Sequence, residues 1–209
     1  MPGSASPGRS ALLIIDMQVG MFNGPQKPYE GQRVLATVNT LIAKAREAGA
    51  PVFAVRHTGP LGSALEPGSA LSQLLPELAV DAVADTVFDK ARPSCFAGTG
   101  LAGWLADAGF AELVIVGMKT EYCVDTTCRA AAELGFRPVL VADGHTCMDT
   151  PVLPAQAIIA HHNRTLSGPF VKLVNASDCL FVHQARPTDS MATASRATAG
   201  AISSSLTPP

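Results

Sequence analysis

The stretch IVGMKTEYCVD, residues 115–125, decides the fold, because it marks the passage from a buried strand to a helix. It continues an aliphatic run that begins at Leu113 and is long enough for a buried strand but too short for a helix. Gly117 ends this run, Thr120 is a candidate helix cap, and apolar residues then recur at helical spacing. Cys123 therefore lies beside a helix N-terminus, a position that lowers the pKa of a thiol and favours the reactive thiolate.

The same alternation of apolar runs and helical patterns extends outward from this stretch. Short apolar runs predict six strands, at residues 11–15, 51–55, 86–88, 113–116, 138–142 and 170–174. Helical spacing predicts helices at residues 29–48, 71–75, 98–109, 121–134 and 151–166. Strands that alternate with helices form a parallel sheet with both faces covered. We therefore predict an α/β fold, a three-layer doubly wound six-stranded parallel sheet with helices on both faces.

The length and composition predict one folded domain with unstructured ends. A chain of 209 residues can bury about 70% of its unfolded surface without a disulfide or metal. We assign residues 10–184 to the domain and residues 1–9 to a disordered leader. Residues 185–209 are mostly Ala, Ser, Thr, Pro and Gly, which cannot build a core, so we predict a disordered tail.

Charge and cysteine usage limit the partners and the compartment. The formal net charge is −2 and neither sign forms a block, so we expect neither a nucleic acid nor a membrane as partner. No apolar run approaches the roughly 20 residues of a membrane span. The five cysteines include no Cys-x-x-Cys pair and no signal peptide is evident, which predicts a cytoplasmic protein with reduced thiols.

Three reactive side chains follow three predicted strands: Asp16 the first, Lys90 the third and Cys123 the fourth. The carboxyl ends of strands in a doubly wound sheet form the ligand crevice. Each residue also has a simpler interpretation, as a helix cap, a surface charge and a core residue respectively. Their coincidence at one edge favours a catalytic site that combines a base, a cation and a nucleophile.

Three separated segments carry a family resemblance: LIIDMQ at 13–18, FDK at 88–90 and GMKTEYCV at 117–124. In this order and spacing they resemble the isochorismatase-like cysteine hydrolases, and the resemblance extends from about residue 10 to residue 183. The family fold is a six-stranded parallel sheet, in agreement with the strands predicted above.

The resemblance implies roles for particular residues. Asp16, Lys90 and Cys123 would form the catalytic triad. A non-proline cis peptide would join Met118 to Lys119, and it would direct the backbone amide of Lys119, with that of Cys123, into an oxyanion hole.

The resemblance also implies a cysteine-dependent amidohydrolase. Cys123 would attack the carbonyl of a small amide, lactam or carbamoyl compound and form a thioester. The loop at residues 57–69 resembles the branch that includes streptothricin hydrolases, which open a lactam. Alternatives are an isochorismatase-type vinyl ether hydrolase, whose members commonly lack the cysteine, and a non-catalytic binding or redox protein on the same fold.

The pocket is predicted from residues that flank the triad. We expect it to be shaped by Gln18, Phe22, His57, Glu66 and Tyr122. A carboxylate such as Glu66 or Glu121 in the crevice would favour a cationic substrate.

No metal or other cofactor is expected. Nicotinamidases of the family bind a metal through an Asp-x-His motif after the second strand, where this chain has Val55-Arg56-His57. No second histidine follows before His145, and one histidine does not make a metal site. The resemblance also implies a homodimer or homotetramer.

Overall fold

A six-stranded parallel sheet forms the centre of the computed structural model, which describes residues 9–182. Its strands are β1 (Arg9–Ile15), β2 (Val52–His57), β3 (Thr86–Lys90), β4 (Phe110–Met118), β5 (Arg137–Thr146) and β6 (Lys172–Val174). The helices are α1 (Val19–Phe22), α2 (Gly31–Glu47), α3 (Leu101–Asp107), α4 (Asp125–Glu133) and α5 (Ala155–Leu166). The order of strands is β3-β2-β1-β4-β5-β6, and every neighbouring pair is parallel. The predicted fold class is confirmed.

The two faces of the sheet are covered by different helices, because successive residues of a strand point to opposite sides. In β1, Leu12 and Ile14 pack in the core that contains α2. Leu13 and Ile15 pack in the second core, with α3 and α4. All four side chains are fully buried. A strand buried on both faces needs a continuous aliphatic run, and this is the pattern that predicted the sheet.

Several elements differ in extent from their predictions. β4 extends in both directions beyond residues 113–116, and β5 continues to Thr146 rather than ending at residue 142. The predicted helix at 71–75 is a single 3₁₀ turn, Ala70–Ser72. The last helix begins only at Ala155, because the preceding residue is a proline in extended conformation.

Both chain ends that are predicted to be unstructured lie almost entirely outside the described residues. The predicted leader, residues 1–9, overlaps them only at Arg9, which belongs to β1 and donates a 2.6 Å hydrogen bond to the carbonyl of Ala108. The predicted tail, residues 185–209, lies wholly outside them. Among residues 9–182, none of the helices combines the length and the apolar character needed to traverse a bilayer.

The two central strands approach each other closely where they end. Ile15 of β1 pairs with Gly117 of β4. A Cβ atom at position 117 would lie 2.1 Å from the carbonyl oxygen of Ile15, and the φ angle there is +117°, so the position requires glycine. Asp16 follows immediately in the left-handed region, with φ +53°, which aspartate tolerates better than most residues. The close approach sets the segment after β4 beside Asp16.

Candidate active site

An ammonium, a carboxylate and a thiol meet at the carboxyl edge of the sheet. The Nζ atom of Lys90 lies 2.9 Å from Oδ2 of Asp16 and 3.1 Å from Sγ of Cys123. The side chains of Lys90 and Asp16 are 0% and 1% exposed, and Cys123 is 8% exposed. The structure thus brings together the three side chains that the sequence places at strand ends.

His57 completes the surroundings of the lysine. Its Nδ1 atom lies 3.2 Å from Nζ of Lys90. An ammonium group has three N–H donors and no acceptor. Asp16, Cys123 and His57 together can accept one hydrogen bond from each of these donors. A buried cation is stable only when it is paired and hydrogen-bonded in this way.

Burial controls the charge of the aspartate and the lysine. It raises the pKa of Asp16, although the charge of Lys90 acts in the opposite direction. Burial acts most strongly on Lys90 and lowers its pKa, but Asp16 together with Cys123 and Cys95 raises the pKa on balance. Within residues 9–182, Oδ1 of Asp16 receives no hydrogen bond, and the carboxylate lies within 4.8 Å of the Cys123 sulfur. The carboxylate of Asp16 therefore has an unpaired oxygen and lies near the thiol whose proton it can accept.

The prediction of a lowered thiol pKa was wrong. Burial and the charge of Asp16 raise the pKa of Cys123 to about 12, against the opposing effect of Lys90. Moreover, α4 begins only at Asp125, after a π-helical turn over Thr120–Val124. The resting form of Cys123 is therefore the neutral thiol, and attack requires a base to remove its proton.

The segment between β4 and Cys123 contains the expected backbone feature. The peptide bond between Met118 and Lys119 is cis. Within the described part of the chain, the N–H of Lys119 has no hydrogen-bond acceptor. Lys119 and Cys123 both line the same cavity.

A buried hydrogen-bond chain holds this segment in place, and sequence reasoning missed it. The hydroxyl of Thr120 does not cap a helix but pairs with Nδ1 of His145 at 2.9 Å, and Nε2 of His145 pairs with Oδ1 of Asn163 at 2.9 Å. Burial lowers the pKa of His145 to about 4, so the ring is neutral. The chain ties the turn to β5 and α5, and no sequence signal links residues so far apart.

The cysteine opens onto a cavity of about 240 Å³, lined by Asp16, Met21, His57, Pro93, Lys119, Tyr122 and Cys123. A second cavity, of about 380 Å³, shares Met21 and Lys119 with it and continues along Gly20, Gly24, Pro25, Gln26 and Met148. Tyr122 is 57% exposed. The predicted pocket residues His57 and Tyr122 thus line the first cavity. Met21 and Pro93 were not predicted, because nothing in the sequence shows how α1 and the segment after β3 fold against the site.

The other predicted pocket residues lie elsewhere. Gln18 is fully buried, and its amide accepts from the N–H of His57 at 2.8 Å and donates to the carbonyl of His57 at 3.0 Å. Phe22 packs in the core. Glu66 accepts a 2.7 Å hydrogen bond from the N–H of Gly62 within its own loop. These residues shape the walls and loops behind the cavity rather than its surface.

The residues present do not fit a metal ion. At the Asp-x-His position Val55 is an apolar, fully buried side chain. Asp16, His57 and Cys123 have potential ligand atoms within 4.8 Å of one another, but all three contact Lys90. The ammonium already supplies the positive charge that these groups attract, and it would repel a metal cation.

The parallel sheet and the cluster of Asp16, Lys90 and Cys123 at its edge together define an isochorismatase-like cysteine hydrolase. A family model described as the isochorismatase domain matches residues 10–162. The chain belongs to the isochorismatase family.

This chain matches different shares of the length of its relatives. A streptothricin hydrolase of Streptomyces noursei is 37% identical over 145 residues, which is 69% of this chain and 52% of that protein. The chain thus spans about half the length of that relative. The secreted isochorismatase effector Isc1 of Verticillium dahliae is 30% identical over 178 residues, 85% of this chain and 93% of that one. The crystal structure of a putative isochorismatase hydrolase from Oleispira antarctica is 30% identical, with a TM-score of 0.75 over 84% of this chain and 98% of that chain.

Proposed function

We propose that this protein hydrolyses an amide-type C–N bond of a small molecule, with Asp16, Lys90 and Cys123 as the catalytic triad. The observation that carries the proposal is the buried ammonium of Lys90, in contact with both the carboxylate and the sulfur. This arrangement supplies a base, a nucleophile and a fixed positive charge at one point. The similarity to a streptothricin hydrolase also supports C–N cleavage.

In the first half of the proposed reaction, Asp16 takes the thiol proton as Cys123 attacks the carbonyl carbon. Lys90 stabilises the sulfur as it becomes negative. The amides of Lys119 and Cys123 hold the negative oxygen of the tetrahedral intermediate. Asp16 then returns the proton to the leaving nitrogen, the C–N bond breaks, and an amine or ammonia leaves behind a thioester.

In the second half, water replaces the amine. Asp16 takes a proton from the water as it attacks the thioester carbonyl. The tetrahedral intermediate collapses, the C–S bond breaks, and the proton returns to the sulfur of Cys123. The acid product leaves, and the carboxylate, the ammonium and the thiol are restored.

The state of the cysteine favours this mechanism over a redox role. Redox-sensing cysteines are accessible and present as thiolates. Cys123 is 8% exposed, and burial raises its pKa to about 12. Its neighbour Asp16 can take the proton as the sulfur attacks a substrate carbonyl, which suits hydrolysis better than oxidation.

For the substrate we propose a compact, uncharged or anionic amide, lactam or carbamoyl compound. Glu66 and Glu121, which would have favoured a cationic substrate, line neither cavity. Oε2 of Glu121 is buried. The pKa of Cys147 is raised to about 12, mainly by burial and further by the nearby carboxylate of Glu121. Beside the triad, the charged residue that lines both cavities is Lys119. Lactam opening of a streptothricin-like compound is a finer proposal that rests on the similarity alone.

The proposal is tested by a screen for ammonia or amine release over amides, lactams and ureides, with the wild type and Cys123→Ala in parallel. We expect Cys123→Ala to lose at least about 10³-fold in kcat, because the covalent step is gone. Hydroxylamine should release an acyl group from the wild type during turnover.

Cys128→Ala is the matched control. Cys128 is a fully buried cysteine on α4 that packs in the second core and lines neither cavity. This variant should keep wild-type kcat at a temperature where it is folded. Normal turnover by Cys123→Ala, or equal losses in both variants, would contradict the mechanism.

We also propose a homodimer or homotetramer and a cytoplasmic location. Tyr122 at the cavity and the apolar side chains of Val152 and Leu153 are exposed, as a surface that a second subunit covers would be. All five cysteines are free, as expected in a reducing compartment. Light scattering of the purified chain gives the stoichiometry.

A further inference from the structure

We infer that the Nε2–H group of His57 is a substrate-binding donor that selects amides with a second hydrogen-bond acceptor in the acyl group. The inference rests on the proposed function, because it assumes that the substrate lies in the cavity beside Cys123. It assigns a specific task to a residue that is otherwise only part of the cavity wall.

The contact with Lys90 fixes the tautomer of the ring. An ammonium can only donate, so Nδ1 of His57, at 3.2 Å from Nζ, must be the unprotonated nitrogen. Burial and the charge of Lys90 both lower the pKa of His57, which keeps the ring neutral. A neutral imidazole whose Nδ1 is an acceptor carries its proton on Nε2.

Among residues 9–182, Nε2 of His57 has no hydrogen-bond partner, and Gln18 holds the backbone of the residue. His57 lines the cavity together with Lys119 and Cys123, and within residues 9–182 Nδ1 is the ring nitrogen that has a protein partner. Gln18 holds both the N–H and the carbonyl of the His57 backbone, at 2.8 and 3.0 Å. Gln18 thus fixes the backbone of His57, and Lys90 contacts the ring. The fully buried amide of Gln18 also donates a 2.7 Å hydrogen bond to the carbonyl of Ser72, so its polar atoms are paired.

A donor in the cavity that also contains Cys123 discriminates between substrates. A compound with a carbonyl, carboxylate or hydroxyl oxygen near the scissile carbonyl satisfies the N–H group. A compound without such an acceptor covers the N–H group and leaves it unpaired, which costs affinity in the transition state. The predicted substrate class is thus an amide whose acyl group carries a second oxygen acceptor.

The first test measures the tautomer and needs no substrate. In a ¹⁵N spectrum of the ¹⁵N-histidine-labelled full chain, with His57→Gln to assign the signals, we expect a protonated Nε2 and an unprotonated Nδ1 at neutral pH. A ring protonated on Nδ1 would overturn the inference, whether or not Cys123 proves to be the nucleophile.

The second test separates the two nitrogens with a pair of variants. The amide oxygen of His57→Asn can replace Nδ1 as acceptor for Lys90, whereas the amide N–H of His57→Gln can replace Nε2 as donor. The probes are iodoacetamide, which has a carbonyl acceptor, and iodomethane, which has none. Mass spectrometry of the peptide that contains Cys123 gives each alkylation rate constant.

We expect the ratio of the iodoacetamide rate to the iodomethane rate to fall about three- to tenfold in His57→Asn, the size of one lost hydrogen bond. The ratio should stay within about twofold of wild type in His57→Gln. An unchanged ratio in His57→Asn would overturn the inference, because it would show that His57 acts only through Lys90. Release of amine at the wild-type rate by Cys123→Ala would instead overturn the proposed function, and this inference with it.

Discussion

The proton of Cys123 determines what the site can do at rest. The sulfur lies between a carboxylate that discourages its ionisation and an ammonium that encourages it, and burial decides the balance by raising its pKa to about 12. The same burial raises the pKa of Asp16, which makes this carboxylate a stronger base than a solvated aspartate. At rest, Cys123 is therefore an unreactive thiol beside Asp16, the carboxylate that can remove its proton.

At the residue scale this arrangement predicts the pH dependence of the reaction. The base must be ionised, so kcat/KM should be lost as the pH falls through the pKa of Asp16, which burial raises above the usual 3.8. The upper limit should come from Lys90, whose pKa is raised above 10.5. Initial rates over a pH series measure both limits.

His57→Gln provides the control for this profile. Burial and Lys90 lower the pKa of His57 below 6.5, so a pH profile of the wild type alone does not separate this ring from Asp16. If Asp16 is the base, the variant should keep the same acid limit as the wild type. An acid limit that disappears in this variant would assign the base to His57 instead of Asp16.

At the element scale, the meeting of β1 and β4 positions the site. Gly117 lets β4 pass within van der Waals distance of Ile15, and the segment that leads to Cys123 starts immediately beyond it. Gly117→Ala should therefore lower the free energy of unfolding by about 3 kcal/mol or more, from the collision and the unfavourable φ angle together. Chemical denaturation gives the value.

Gly103→Ala is the matched control for this prediction. Gly103 lies in α3, and a Cβ atom there would meet nothing within 4 Å. Alanine favours the helix, so this variant should be more stable than wild type by about 0.5–1 kcal/mol. Equal effects of the two substitutions would show that β1 and β4 do not need the close approach.

Local sequence patterns encode some of these elements and not others. The aliphatic runs of β1 and β4 predicted the parallel sheet, and the residues that follow each run predicted where Asp16 and Cys123 would meet. β5 extends beyond its prediction through polar residues, among them His145, because these are paired in three dimensions and not in sequence. The role of Gln18 and the raised thiol pKa have the same origin, since both depend on burial that no local pattern records.

At the scale of the whole molecule, the order of the strands distributes the site unevenly. Asp16 and Cys123 follow β1 and β4, the two strands at the centre of the sheet, whereas Lys90 ends β3, which lies at an edge. In β3 only Phe88 and Lys90 are buried. An edge strand with few buried side chains opens more readily than the centre of a sheet.

The position of Lys90 in the site is therefore sensitive to heat. When β3 separates from β2, the ammonium withdraws, and an aspartate and a thiol without a cation between them cannot complete the reaction. Catalysis should cease several degrees below the temperature at which the helices melt, in a step that cooling reverses. Parallel records of initial rate and circular dichroism against temperature would reveal this gap, and coincident curves would show that the edge strand unfolds only with the rest of the protein.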